Sequence, residues 1–363
     1  MIAEIKQATS PFSALSQEVQ DYLRDFGSHH PADTVIHWLK AIAGLKVLVV
    51  GEAILDEYHY CETLGKSGKE PILATRYLHS ERFAGGVLAI ANNVAAFAQD
   101  VTVLTILGSR GGQPDPSESF LRESLHPRIK PIFIYQPEAP TLTKRRYVEH
   151  YPLQKLFEVY DLTYLEEDGP VAQALCEELE ARLADFDVVI VADYGHGMMV
   201  PRAVDLLCEK ARFLAVNTQS NADNHGFNTI SKYPRADFSS LSEKELRLET
   251  RSKARNTAEL MKSVAAKLGT HQFLITRGRD GNLVCDEDGL IGTSPSLSTH
   301  ITDRVGAGDA VLSIASLCVA IGIPAEILGF LGNVVGAHAV ATVGHRSSLS
   351  PDSLAEHITA ILA

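Results

Sequence analysis

The chain has 363 residues, 45% of them hydrophobic and 21% charged, with 33 Lys and Arg against 45 Asp and Glu. A formal charge of −12 argues against a general nucleic-acid binder, which needs clustered cations, but leaves room for a phosphorylated small substrate at a local positive site. The length admits one large α/β domain or two smaller ones, and no segment approaches the roughly 18 continuous apolar residues of a membrane span.

SALSQEVQDYLRDF sets Leu15, Val19 and Leu23 at helical spacing. A second helix is signalled at Pro31 and Asp33, with Val35, Ile36, Leu39 and Ile42 on its apolar face and His29 and His30 in the loop before it. Residues 1–44 are therefore expected to form a helical extension to a main domain at 45–363. The opening residues show no basic start followed by an apolar run. The five cysteines, Cys61, Cys176, Cys208, Cys285 and Cys318, are widely spaced without a CxxC pair. Free thiols in a cytoplasmic protein are expected.

KVLVVGE from Lys46 is a continuous β-branched run, as in a parallel strand buried on both faces. Similar runs begin at Val101, Phe186, Phe213 and Gln272, with helical stretches such as GVLAIANNVAAFA and TAELMKSVAAKLG between them. The alternation predicts an α/β fold with a doubly wound, mainly parallel sheet. Segments at about 57–82 and 140–160 break the rhythm by alternating polar with apolar or aromatic residues, and predict a small antiparallel β lid. Ligands of such a sheet bind beyond the carboxyl ends of its strands, where Glu52, Asp56, Asp193, Asn217, Thr276 and Gly278 fall.

DRVGAGDAVLSIASL, from Asp303, carries the clearest chemistry. Gly306, Ala307 and Gly308 let the backbone approach a ligand, and the helix that follows offers unpaired N–H groups to a phosphate. Asp309 in its first turn is suited to take a proton from an attacking hydroxyl; a carboxylate there also favours the helix end without any chemistry.

Together with VLVVGEAILDEY, ERFAGG, PTLTKRR, VIVADYGHG, LSEKE and TRGRDG, this order of motifs resembles the ribokinase-like PfkB carbohydrate kinases from about Lys46 onward. It is most similar to the heptose-7-phosphate kinase branch and to the kinase-like half of proteins that also carry a nucleotidyltransferase domain. The resemblance implies ATP and Mg²⁺ as cofactors, with Asp309 as base and Gly306 to Gly308 as anion hole. It implies sugar contacts from Asp56, Gly85, Gly86, Asn93, Asp193 and His196, with Lys144 supplying charge. Thr276, Gly278 and Gly281 would follow the nucleotide, with Asn333 and Gly336 near its base. Glu243 would reach Mg²⁺ through water, and Asp303 matches a position that helps bind K⁺ in some members. It also implies a homodimer through the lid, with Tyr58, Tyr60, Ile72, Leu73 and Tyr77 as contacts, and a small-molecule sugar as partner rather than nucleic acid or membrane.

Departures fall where a sugar would be chosen. Glu52 replaces an aspartate, Ala89 an asparagine and His196 a lysine; Asn217 to Gln219 replace Asp-Pro-Lys, and Ser240 an asparagine. Two readings follow: an active carbohydrate kinase, or a kinase-fold module that binds a sugar or sugar nucleotide and serves a separate nucleotidyltransferase. A dehydrogenase is disfavoured, since no GxGxxG stands at a strand–helix junction.

Overall fold

A computed structural model describes residues 15–363. Ser13 and Ala14, at the head of the first expected helix, lie outside the described residues. That helix, α1 (Gln17–His29), is capped by Ser16, whose Oγ accepts from Val19 N, and buries Val19, Leu23 and Phe26. His29 closes α1 rather than lying in a loop, because helical hydrogen bonding runs on until the His30 N–H bonds Phe26 O. α2 (Ala32–Ala41) buries Val35 and Leu39. The extension packs into the main core, with Phe26 stacked on Phe330 at 4.4 Å.

The strands are β1 (Lys46–Gly51), β2 (Ala53–Lys66), β3 (Leu73–Gly86), β4 (Asp100–Arg110), β5 (Gln113–Pro114), β6 (Ile129–Pro137), β7 (Thr143–Glu149), β8 (Gln154–Asp161), β9 (Val188–Asp193), β10 (Leu214–Thr218), β11 (Phe238–Ser242), β12 (Gln272–Thr276), β13 (Asn282–Asp286) and β14 (Ile291–Ser294). The remaining helices are α3 (Val87–Phe97), α4 (Glu118–Glu123), α5 (Pro170–Arg182), α6 (Pro201–Lys210), α7 (Glu243–Glu249), α8 (Thr257–Leu268), α9 (Ala307–Ala320), α10 (Ala325–Val340) and α11 (Pro351–Leu362).

The main sheet runs β14-β13-β12-β11-β10-β9-β1-β4-β5, with β6 also on β4. It is parallel from β12 to β6 and antiparallel at β13, β14 and β5. In β1, Val47 and Val49 face one core and Leu48 and Val50 the other, which is why the run is apolar throughout. Strand order reverses between β1 and β9, and the crevice beyond their carboxyl ends is the expected ligand site.

The lid is a four-stranded sheet, β3-β2-β7-β8. Each half is an antiparallel pair, while β2 and β7 join the halves in parallel. Its inner face buries Tyr58, Tyr60, Phe83 and Val148 in a small core. Tyr58 and Tyr60 therefore point inward and are corrected as candidate dimer contacts: their aromatic bulk fills the space between lid and body. Ile72, Leu73 and Tyr77 are exposed. A row of rings, Tyr77, His59, Tyr147 and Phe157, crosses all four lid strands. The five cysteines are unpaired. Among the described residues no helix is long and apolar enough to cross a membrane.

Candidate active site

Gly306 precedes α9 in a left-handed conformation (φ 82°), and a Cβ there would lie 2.5 Å from the His345 ring. Both constraints exclude a side chain. α9 then starts at Ala307, which leaves Gly308 and Asp309 in its first turn with their N–H groups unspent by the helix. The Tyr194 hydroxyl donates to Asp309 Oδ1 at 2.8 Å. Among the described residues nothing donates to Oδ2. Burial raises the Asp309 pKa, opposed by the charge of His345 and the Tyr194 hydrogen bond. The result is an oriented carboxylate with one oxygen available.

The lid supplies the opposite wall. Asp56 on β2 is buried; Arg146 on β7 pairs with its Oδ1, and His345 Nε2 lies 3.6 Å from Oδ2. Gly85 is required beside it, since a Cβ would sit 2.1 Å from Asp56 Oδ2. Gly86 (φ 60°) caps α3 against the Glu52 carbonyl. Lys144 is also buried, its Nζ 5.0 Å from the Tyr160 ring and 6.0 Å from that of Tyr194. Burial lowers its pKa, and Asp56 opposes that shift. Among the described residues no carboxylate lies within 4 Å of this ammonium. Asn93 on α3 accepts from Leu349 N at 3.0 Å and, with Gly306 and His345, lines a cavity of about 700 Å³.

Where the sheet order reverses, Glu52 holds the loop after β9. Its Oε2 and Oε1 accept from the backbone N–H groups of Tyr194 and His196, each at 3.0 Å. Burial, then the neighbouring Asp193, pushes its pKa up. Asp193 itself is fully buried. It accepts from Gly195 N, Asn228 Nδ2 and Tyr233 Oη and pairs with Lys232 at 2.5 Å. The expectation of a sugar contact is corrected: its oxygens are consumed by the loop that presents Tyr194. His196 is buried between Asp223 and Asn221, and its pKa is pushed down to about 4, first by burial and then by Lys144. It is neutral at pH 7, so it does not supply the charge of the lysine it replaces.

On the nucleotide side, Thr276 ends β12, and Gly278 (φ 59°) and Gly281 (φ 75°) turn the chain into β13. A Cβ on Gly281 would lie 1.9 Å from Ser294 O, so strand packing alone requires that glycine. Asn333 Nδ2 donates to Ser294 O and Gly329 O, and a Cβ on Gly336 would meet Val311 at 3.8 Å, an ordinary contact. Asn217 Nδ2 donates to Ser240 O at 2.6 Å, which links the altered positions on β10 and β11. Glu243 starts α7, with Oε1 taken by Thr257 and Arg247. The Thr257 hydrogen bond, countered by burial and joined by Arg247, holds its pKa below the ordinary value. Among the described residues no three His, Cys, Asp or Glu side chains could together hold a metal ion. The free Glu243 Oε2 fits a water-mediated contact to Mg²⁺, an ion that keeps most of its own waters, and does not fit a protein cage.

Asp303 departs from its expected role. Its Oδ1 pairs with Lys155 Nζ at 2.9 Å and accepts from Val305 N; its Oδ2 accepts from Tyr58 Oη at 2.8 Å and Gly344 N at 3.1 Å. Burial works against ionisation here, but Lys155 and Tyr58 hold the carboxyl below its ordinary range. The donors leave no lone pair for a potassium ion.

Asp309, Asp56, Gly85 and Lys144 thus gather beside the cleft that Gly306 and His345 line. Tyr194, Arg146 and His345 complete it. Tyr194 and Arg146 sit inside recognised motifs, whereas His345 follows an unremarkable glycine and reaches the cleft only through the fold.

The model of the pfkB family carbohydrate kinases matches residues 45–352. The Campylobacter jejuni bifunctional protein HldE is 26% identical over 310 residues, which cover 83% of this chain and 62% of that protein. The chain thus spans about three fifths of the length of that curated relative. Among solved structures, a putative ribokinase from Agrobacterium tumefaciens superposes with TM-score 0.67 at 16% identity, covering 87% of this chain and 98% of that one. Escherichia coli phosphofructokinase-2 gives 0.68 at 14% identity, covering 88% and 99%. These two likenesses establish the fold.

Proposed function

The chain belongs to the pfkB family of carbohydrate kinases, and from that premise we propose that it transfers the γ-phosphate of ATP to a hydroxyl of a heptose-phosphate-like sugar. The observation that carries this reading is Asp309, oriented by Tyr194 through Oδ1 and free at Oδ2, in the first turn of α9. Asp309 Oδ2 would receive the proton of the acceptor hydroxyl as its oxygen attacks phosphorus. The burial that raises its pKa makes it a stronger base than an exposed carboxylate. The backbone N–H groups from Gly306 to Asp309 would receive the phosphoryl oxygens.

Lys144 would bring charge to an acceptor that already carries a phosphate, and Asn93, Gly85 and Gly86 would shape the acceptor space. Thr276, Gly278, Asn333 and Gly336 would line the nucleotide, and Glu243 would hold Mg²⁺ through water. When bound, Mg²⁺ neutralises charge on the β- and γ-phosphates. The exposed Ile72, Leu73, Tyr77 and Phe157 of the lid support a homodimer formed by that face, and a monomeric mass in light scattering would overturn it.

A second reading rests on the acceptor wall. Asp56 is engaged by Arg146 and faced by His345, so the carboxylate that would grip a sugar is already neutralised. A module that binds a sugar or sugar nucleotide and serves a nucleotidyltransferase fits that state. An assay of ADP release over heptose, hexose and pentose phosphates and free sugars separates the two readings. The kinase reading expects turnover with a sugar phosphate. Thermal stabilisation by a sugar, with no response to ATP and no ADP release, supports the second.

A further inference from the structure

We infer that the Lys155 ammonium takes the place of a monovalent cation at Asp303, so that the chain carries a built-in positive charge at the turn leading into the Gly306–Asp309 loop. The inference concerns the folded chain alone and does not rest on phosphoryl transfer.

Four donors surround the buried Asp303 carboxylate, two on each oxygen. Lys155 Nζ and Val305 N meet Oδ1 at 2.9 and 3.2 Å, and Tyr58 Oη and Gly344 N meet Oδ2 at 2.8 and 3.1 Å. A carboxylate has about four lone-pair positions, and these donors use them. A potassium ion binds to oxygen lone pairs and would have to displace at least one donor. An ammonium has the same charge and a similar size. Lys155 is tethered by its strand, so it acts at a high effective concentration that a free ion must outcompete. The Tyr58 ring, with its centroid 5.9 Å from Lys155 Nζ, adds a favourable face for the cation.

The donors also join separate parts of the fold. Tyr58 and Lys155 belong to lid strands β2 and β8, Val305 lies in the loop before α9, and Gly344 follows α10. Tyr58 already ties β2 to Asp303, and Lys155 adds a charged tie from β8, so two lid strands bear on the turn that leads into the anion-hole loop. Lys155 is thus a positioning residue, remote from the reacting atoms.

The test is thermal unfolding of wild type, Lys155→Met and Lys155→Arg in potassium, sodium or tetramethylammonium chloride at equal ionic strength. Wild type is expected to melt at one temperature in all three salts. Lys155→Met is expected to melt about 2–4 °C lower in tetramethylammonium and to recover in potassium, and Lys155→Arg to behave as wild type. Specific stabilisation of wild type by potassium would overturn the inference. So would a Lys155→Met protein that melts alike in all three salts, since an ordinary salt bridge has no ion to be rescued by. If Lys155→Met does not fold, Lys155→Gln, which keeps a hydrogen-bond donor without charge, is judged by the same two outcomes.

Discussion

The two walls of the cleft are built on different principles. The body wall, from Gly306 to Asp309, is backbone: a left-handed glycine, a helix end and one carboxylate with a free oxygen. The lid wall is ionic, with Asp56, Lys144 and Arg146 all buried and His345 reaching across to them. A backbone wall can bind any phosphate of the right shape. An ionic wall, desolvated at considerable cost, selects by charge. The body wall is therefore suited to the part of the reaction shared across the family, and the lid wall to the choice of acceptor.

The largest expected effect removes the body wall's one acid–base group. Asp309→Asn should lower kcat by about 10³-fold, the scale of a positioned general base, while leaving nucleotide binding and melting temperature nearly unchanged. ADP release and a nucleotide-induced thermal shift read the two properties separately. Turnover retained in this variant would remove Asp309 from the proposed role.

The same division decides what could be read from the sequence. Gly306 and Asp309 are adjacent in the chain, and a helix end has one geometry, so their arrangement follows from local order. The buried parallel strands are equally legible because both their faces are apolar. β11 is not: FSSLS is polar in composition, yet Ser239 and Ser240 are buried in the middle of the sheet. The lid wall depends on distant pairings. Arg146 meets Asp56 across 90 residues through the parallel pairing of β2 with β7, and Lys155 on β8 meets Asp303 across 148, contacts that no local pattern encodes. Asp193 is an instructive miss. Its place at a strand end suggested a ligand contact, but whether a carboxylate is free or consumed depends on the donors that later segments bring to it.

A second variant tests the ionic wall. Among the described residues no carboxylate lies within salt-bridge distance of the buried Lys144 ammonium, so it costs stability unless an anion arrives. Lys144→Met should raise the melting temperature, with a gain of about 1 kcal/mol. It should also lower kcat/KM for a phosphorylated acceptor by about 10–100-fold, the loss of one charge-assisted contact. Equal losses for phosphorylated and free sugars would mean that Lys144 does not read the acceptor's phosphate.

His196, in the loop after β9, is expected to affect stability rather than turnover. Its pKa falls from 6.5 to about 4 on folding, so the unfolded chain binds the proton more tightly. That difference leaves stability intact above pH 6.5 and erodes it as pH falls toward 4. His196→Gln should therefore lose less stability than wild type between pH 7 and pH 5, by about 2 kcal/mol, in denaturant titrations at the two pH values. Identical pH dependence would show that the ring is not buried neutral.

The smallest effect couples the walls directly. His345 comes from the loop after α10, touches the space beside Gly306, faces Asp56, and opposes the burial that raises the Asp309 pKa. Removing it takes away the largest influence opposing burial, and leaves Tyr194 and Lys144 to hold the carboxylate ionised against burial and the Asp56 charge. In His345→Ala the acidic limb of the kcat/KM profile should therefore move to higher pH. The same change opens room beside Gly306, so KM for a bulky acceptor should fall even as the limb moves. A shift toward lower pH would mean that the ring does not act on Asp309 as a positive charge. An unmoved limb with altered KM would confine His345 to shape, and the walls would then act independently.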